Sequence, residues 1–281
     1  MATFYNQATL SYNNTTVSSN IVSGEVTEVL TAEKTAVSAS YTGGGTITYA
    51  VSLVNSGSAP VTGITLTDDL GAYEYNTLTL IPLTYITGSV LYFVNGALQP
   101  APTVSVQDDA LVFSGLNVPA NGSAIIIYQA EVNEFAPLGS GSSITNTVTA
   151  DGSGAPAITA SAEVPVSDEA VLSISKALSP SSVTENSRIT YTFIIQNTGN
   201  TAESTAVISD TFDPALTAIT VSVNGAPSEK ETAYTYDETT GEFATVSGAL
   251  TIPAATYTRV AGTGEVVVVP GTAEVTVTGT I

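Results

Sequence analysis

Ile47-Thr-Tyr49-Ala-Val51-Ser-Leu53 places a large apolar side chain at every second position. A period of two fits a strand with one face buried, because successive strand residues point to opposite sides. Val, Ile, Thr and Tyr, which suit a pleated and half-buried surface, carry similar alternation through much of the chain. Apolar spacing of helical type is hard to find, so an all-β fold with very little helix is expected. The 281 residues are 43% hydrophobic, which excludes wholesale disorder and corresponds to one large or two ordinary domains.

This stretch belongs to an internal repeat. Leu30-Thr-Ala-Glu-Lys34 matches Leu172-Ser-Ile-Ser-Lys176, and Thr46-Ile-Thr-Tyr49 matches Arg188-Ile-Thr-Tyr191. Asn55-Ser-Gly57 matches Asn197-Thr-Gly199, and Thr67-Asp68-Asp69-Leu70 matches Ser209-Asp210-Thr211-Phe212. Each pair is 142 residues apart, without gaps. The Asn-x-Gly triplets read as hairpin corners between short strands. Many short strands in each repeat argue for two tandem immunoglobulin-like β-sandwich repeats. The expected boundaries are 1–26 for an N-terminal donor strand and connector, 27–156 for repeat 1 and 157–281 for repeat 2, with a linker near Asp151 to Asp168.

Repeat 1 ends on Ile144-Thr-Asn146-Thr-Val148-Thr-Ala150, and repeat 2 has no equivalent within the sequence. The leading residues supply a match. Phe4-Tyr-Asn6-Gln-Ala8-Thr-Leu10 sets an Asn between alternating apolar residues in the same way, and Val17 to Val26 resembles Ile158 to Val164. An unpaired sheet edge is a template for another strand. The expectation is that Phe4, Asn6, Ala8 and Leu10 of one copy complete repeat 2 of the next, by donor-strand complementation. Such a contact is head-to-tail and propagates into a filament unless it closes a ring. The alternative is a disordered tail beside a repeat 2 that is merely short.

Of three lysines, Lys34 and Lys176 hold the same repeat position. Strand parity turns both inward with Leu30 and Ala32, or Leu172 and Ile174. By the same parity Asp68 and Asp210 face inward, as does Asn146 with Ile144 and Val148, and Asn6 with Phe4 and Ala8. Burial lowers a lysine pKa and raises that of an acid, and a neutral amine is a nucleophile. Lys, Asp and Asn in one sandwich are therefore the ingredients of an isopeptide bond formed once per site with loss of ammonia. Lys34 and Asn146 would be joined within a chain and Lys176 to Asn6 between chains, with Asp68 and Asp210 as proton shuttles. The alternative is a buried Lys–Asp ion pair with a hydrogen-bonded Asn.

The charge balance removes other classes. The net charge is −20 with five basic residues, too few to neutralise nucleic acid or dock on anionic lipid. There is no Cys, His or Trp, which removes thiolate and imidazole catalysis and Cys/His zinc sites. No twelve-residue loop of alternating Asp and Asn suggests a calcium site. No metal and no cofactor is expected. Asp108-Asp109 and Asp68-Asp69 could be imagined as paired carboxylates, but neighbours on a strand face opposite ways, and Asp108-Asp109 reads as a turn. No stretch is long enough to span a bilayer. The N-terminus turns polar too soon for a signal peptide, so either a leader was removed or the chain leaves the cell another way.

The succession from Lys34 through Ile47-Thr-Tyr49, Asn55-x-Gly57 and Thr67-Asp68 to Thr145-Asn146 resembles the repeat known as domain of unknown function 11, over nearly the whole chain. Phe135-Ala-Pro-Leu138 and Ile252-Pro-Ala-Ala-Thr-Tyr257 are similar to a two-repeat group from spore-forming anaerobes. The resemblance implies bacterial surface proteins akin to isopeptide-forming domains, with some relatives on spore appendages. The first expectation is thus a non-enzymatic subunit of an extracellular filament on a cell or spore surface, whose partners are copies of itself. The second is an adhesin or stalk module whose surface ligand the sequence does not identify.

Overall fold

The computed structural model describes residues 2–26, 29–152 and 155–281. It is all-β, with no helix among the described residues. The chain divides into two compact units: Met1–Asn133 with Ile144–Val164, and Glu134–Ser143 with Pro165–Ile281. The sequence-derived boundary at 156/157 lies inside a strand that runs from Ala155 to Pro165.

The leading residues form an antiparallel ribbon of β1 (Ala2–Asn6), β2 (Thr9–Tyr12), β3 (Thr15–Ser18) and β4 (Val22–Val26). β1 pairs with β4 and β2 with β3. The rest of unit 1 comprises β5 (Leu30–Ala36), β6 (Thr46–Asn55), β7 (Val61–Asp68), β8 (Tyr73–Tyr75), β9 (Leu78–Leu80), β10 (Leu83–Tyr85), β11 (Leu91–Val94), β12 (Ala97–Gln99), β13 (Thr103–Gln107), β14 (Ala110–Val118), β15 (Gly122–Val132), β16 (Ser143–Gly152) and β17 (Ala155–Pro165). One sheet runs β12-β11-β15-β6-β5, with β10 also on β15, and the other runs β13-β14-β7-β16-β17. The strands carry the expected alternation: Ile47, Tyr49, Val51 and Leu53 on β6 are all fully buried, as are Leu66 and Asp68 on β7.

Unit 2 comprises β18 (Leu172–Ser179), β19 (Arg188–Asn197), β20 (Ser209–Thr211), β21 (Thr217–Val223), β22 (Ala226–Ser228), β23 (Tyr234–Tyr236), β24 (Glu242–Thr245), β25 (Thr256–Arg259), β26 (Val266–Val269) and β27 (Gly271–Thr280). Its larger sheet, β18-β19-β27-β21-β22, reproduces the order β5-β6-β15-β11-β12 of the first sheet of unit 1, without a counterpart of β10. Its second sheet is β20-β24-β23, the counterpart of β7-β14-β13. Nothing among the described residues occupies the places of β16 and β17, so the outer edge of β20 is open. The core of unit 2 gathers Phe193, Ile195, Phe212, Phe243, Val275 and Val277.

Three expectations are corrected. The stretch read as a linker near Asp151 to Asp168 is largely β17; its small residues gave a weak strand signal, yet Ala162 and Val164 are buried. The Asn-x-Gly triplets are not hairpin corners. Each follows a strand of one sheet and leads toward the other, and the Asn is a buried pin. Asn55 Nδ2 donates to Ala59 O at 2.8 Å and Pro119 O at 3.0 Å, while its Oδ1 accepts from Gly57 N. Asn197 repeats this toward Thr201 O, Pro253 O, Gly199 N and Val171 N. A Cβ at Gly199 would collide with the carbonyl of Glu169. Finally, the N-terminal stretch expected as one strand is one leg of a ribbon. β1 ends at Asn6 and β2 begins at Thr9, with an irregularity where Ser19 Oγ accepts from Ala8 N at 3.0 Å.

Candidate functional site

In unit 1 the inward-facing residues converge from the two sheets. Lys34 lies on β5 opposite Val51, and Tyr49 on β6 lies opposite Tyr128 on β15. Asp68 on β7 lies opposite Val148 on β16, two residues along from Asn146. Lysine and tyrosines thus come from one sheet, carboxyl and amide from the other.

Their polar atoms form one chain of hydrogen bonds. Lys34 Nζ donates to Asp68 Oδ2 at 2.6 Å, and both side chains are fully buried. The Tyr128 hydroxyl donates to the same oxygen. Asn146 Nδ2 donates to Tyr128 Oη at 3.2 Å. Asp68 Oδ1 accepts from Leu70 N at 3.0 Å. The ammonium also lies 4.9 Å from the Tyr49 ring centre and 5.9 Å from that of Tyr128, within reach of cation–π attraction.

Burial dominates the electrostatics. It pulls the Lys34 ammonium below its ordinary pKa, with Asp68 opposing the change. It pushes the Tyr128 hydroxyl well above its ordinary value, helped by the charge on Asp68. It also pushes the Tyr49 hydroxyl up, against a downward pull from Asn146. Asp69 is raised by burial as well, although Thr147 N and Gly71 N donate to it. Among the described residues the buried side-chain atoms without a hydrogen-bond partner are Tyr49 Oη and Asn146 Oδ1. Such atoms are rare and call for an explanation. An amine of lowered pKa, a carboxyl group and a primary amide with a free carbonyl oxygen share one buried cluster, which is a setting for amide transfer.

Unit 2 repeats half of this. Lys176 on β18 bonds Asp210 on β20, and the ammonium lies 4.5 Å from the Tyr191 ring centre and 5.5 Å from that of Phe212. Lys176 does turn inward, as parity predicted, but its side chain is 40% exposed and that of Asp210 19%. Every residue of β18 is exposed, Leu172 and Ile174 included. Leu172 and Ile174 stay in water because no strand of the described residues lies along the outer edge of β20. Among the described residues of unit 2 no asparagine stands in for Asn146, and the residue opposite Tyr191 is Val277.

Asn6 lies on β1, opposite Val22 in the ribbon. Phe4, Leu10, Tyr12 and Ile21 of the ribbon are more than half exposed. The Phe4 ring folds over Gly24, where a Cβ would collide with it. Asp108 and Asp109 both have positive φ and make the two-residue turn from β13 to β14, as type I′ hairpins require. Tyr49 and Tyr128 escaped the sequence reading as site residues. The second closes the continuous apolar run Ala124-Ile-Ile-Ile-Tyr128, in which no alternation singles out an inward face.

No family model and no curated protein matches the chain. Solved structures similar to it include BcpA, the major pilin subunit of Bacillus cereus, at 12% identity and a TM-score of 0.36, over 96% of this chain and 73% of that one. The pilus backbone protein RrgB of Streptococcus pneumoniae matches at 12% identity and a TM-score of 0.36, over 86% of this chain and 55% of that one. A backbone pilin of Streptococcus pyogenes matches at 12% and 0.36, over 90% and 64%. At such TM-scores these likenesses decide nothing about what the chain does.

Proposed function

We propose that the chain is a structural subunit of an extracellular filament, and that copies join head to tail. The ribbon of one copy lies along the open edge of β20 in the next and takes the places that β16 and β17 hold in unit 1. The observation that carries this reading is the pairing of two deficits: an edge strand with Leu172 and Ile174 in water, and a two-stranded ribbon with Phe4 and Leu10 in water. Burying an aliphatic or aromatic side chain is worth about 1.5–3 kcal/mol, so each deficit favours covering the other. The ribbon's match to Ile144–Val164 tells which face enters. A heterologous contact of this kind grows into fibres.

Within that reading both lysine sites are cross-linking sites. Lys34 joins Asn146 inside one chain, with Asp68 as proton shuttle. Lys176 joins Asn6 of the incoming ribbon, with Asp210 in the same role. The cell or spore surface is the place for such a polymer, and the chain turns over no substrate.

The full chain in negative stain should show thin fibres, and residues 27–281 alone should remain monomeric by light scattering. A 27–281 fragment that polymerises like the full chain overturns strand donation. Intact mass short by one ammonia per bond reads the cross-links independently, and boiled denaturing gels should show ladders that Lys176→Ala abolishes.

A further inference from the structure

Asp68 can take the proton that Lys34 must lose, but its bonded contacts do not include the nitrogen that must leave. The link is Tyr128, whose hydroxyl donates to Asp68 Oδ2 while its oxygen accepts from Asn146 Nδ2. The geometry points to Tyr128 as the proton relay of the unit 1 site, carrying protons from Asp68 to the departing amide nitrogen, and to unit 2 as a site built without that relay. This rests on the reading of Lys34 and Asn146 as cross-linking partners.

The step balances without any outside reagent. Lys34 Nζ passes a proton to Asp68 Oδ2 and, as a neutral amine, attacks Asn146 Cγ. The Nζ–Cγ bond forms. Tyr128 gives its hydroxyl proton to Nδ2 and takes one from Asp68 in exchange. The Cγ–Nδ2 bond breaks. A second proton follows the same route from Nζ, so the leaving nitrogen departs as ammonium and Asp68 ends ionised, as it began. Nothing is oxidised or reduced. Burial beside Asp68 keeps the Tyr128 hydroxyl protonated, which suits a group that hands on one proton while receiving another.

Unit 2 supplies the contrast. Tyr191 keeps the position of Tyr49, but its partner across the ladder is Val277, where Tyr49 faces Tyr128. Valine has no hydroxyl to connect Asp210 with an incoming amide. The in-chain bond is therefore the fast one and the bond between copies the slow one, so a docked ribbon can still exchange before it is welded.

The test is a time course of intact mass and cross-linked peptides on the full chain made by cell-free synthesis, with wild type, Tyr128→Phe and a chain carrying fluorotyrosine at 128. General acid–base groups contribute about 10²–10⁴-fold. Wild type should lose one ammonia from the Lys34–Asn146 pair early and gain Lys176–Asn6 ladders later. Tyr128→Phe should form the in-chain bond about 10²-fold more slowly or not at all. Fluorotyrosine keeps the ring and hydroxyl, and with them the fold, but should shift the pH dependence of bond formation. Wild-type speed in Tyr128→Phe overturns the relay while leaving the cross-link intact. If Tyr128→Phe does not fold, an unshifted pH profile with fluorotyrosine overturns the relay in its place. A wild-type chain that never loses ammonia overturns the cross-link itself, and the relay with it.

Discussion

Lys34 and Lys176 hold the same register position, opposite Val51 and Phe193, yet Lys34 is closed off from water while the Lys176 side chain is 40% exposed. The difference comes from the neighbouring sheet, not from the lysine's own strand. β16 covers the first site, and the equivalent place beside β20 is empty of described residues.

Lys34→Ala should therefore destabilise unit 1 far more than Lys176→Ala destabilises unit 2. Removing Lys34 takes away both the amine beside the buried Asp68 and the in-chain link to Asn146, and breaking a buried pair alone costs about 3–5 kcal/mol. Removing Lys176 breaks a partly solvated pair worth up to about 1 kcal/mol. Denaturant titration of the two variants, followed by hydrogen exchange in β7 and β20, separates the effects. Equal losses would contradict the assignment of Lys34 as the dry site.

The sandwich and its inward residues were legible because strands with clear alternation, such as β6 and β7, fix their own parity. Other features were not. Asn55-Ser-Gly57 has the composition of a hairpin corner and of an arch alike, and only the sheet assignment of β7 decides between them. β17 hides in small residues with weak strand preference. Tyr128 sits in Ala124-Ile-Ile-Ile-Tyr128, a nearly continuous apolar run, and such a run does not declare which face looks inward. The place of Asn6 in the ribbon depends on an irregularity between β1 and β2 that no alternation rule foresees.

The arch asparagines give a second prediction. Asn55→Ala and Asn197→Ala should each cost about 1–3 kcal/mol, since each leaves buried backbone groups without partners. Asn197→Ala has the further effect of freeing Val171 N next to β18. Limited proteolysis should then cut near Val171–Leu172 faster than in wild type, while Asn55→Ala leaves that rate unchanged.

Alkaline pH should destabilise unit 1. Tyr49 and Tyr128 have folded-state pKa values above the ordinary tyrosine value of about 10. Above that value the unfolded chain gives up protons that the folded chain keeps, so stability falls as pH rises through the window. Lys34 works in the opposite direction: its folded pKa is lowered, and below the ordinary lysine value the unfolded chain holds a proton that the folded one releases, so stability rises with pH there. An amide-linked Lys34 does not titrate. Melting temperature against pH should thus fall above about pH 10 in wild type, and Asn146→Ala should show a rise below that point which a cross-linked wild type lacks.

Ile174 offers the most direct probe of polymer growth. It is 58% exposed on β18 and lines an open groove with Leu172, Ile195, Ala206, Ile208 and Ile252. Because the side chain is in water, Ile174→Asp should change the stability of the isolated subunit by no more than about 0.5 kcal/mol. In the filament the same position would be covered by the ribbon of another copy, and a buried carboxylate without a partner is strongly unfavourable. Val267→Asp on β26 is the control, since Val267 is similarly exposed at 43% but lies outside the groove. Light scattering and negative stain should find Ile174→Asp monomeric and Val267→Asp fibrous. Fibres of normal length from Ile174→Asp would mean that copies meet somewhere other than the edge of β20.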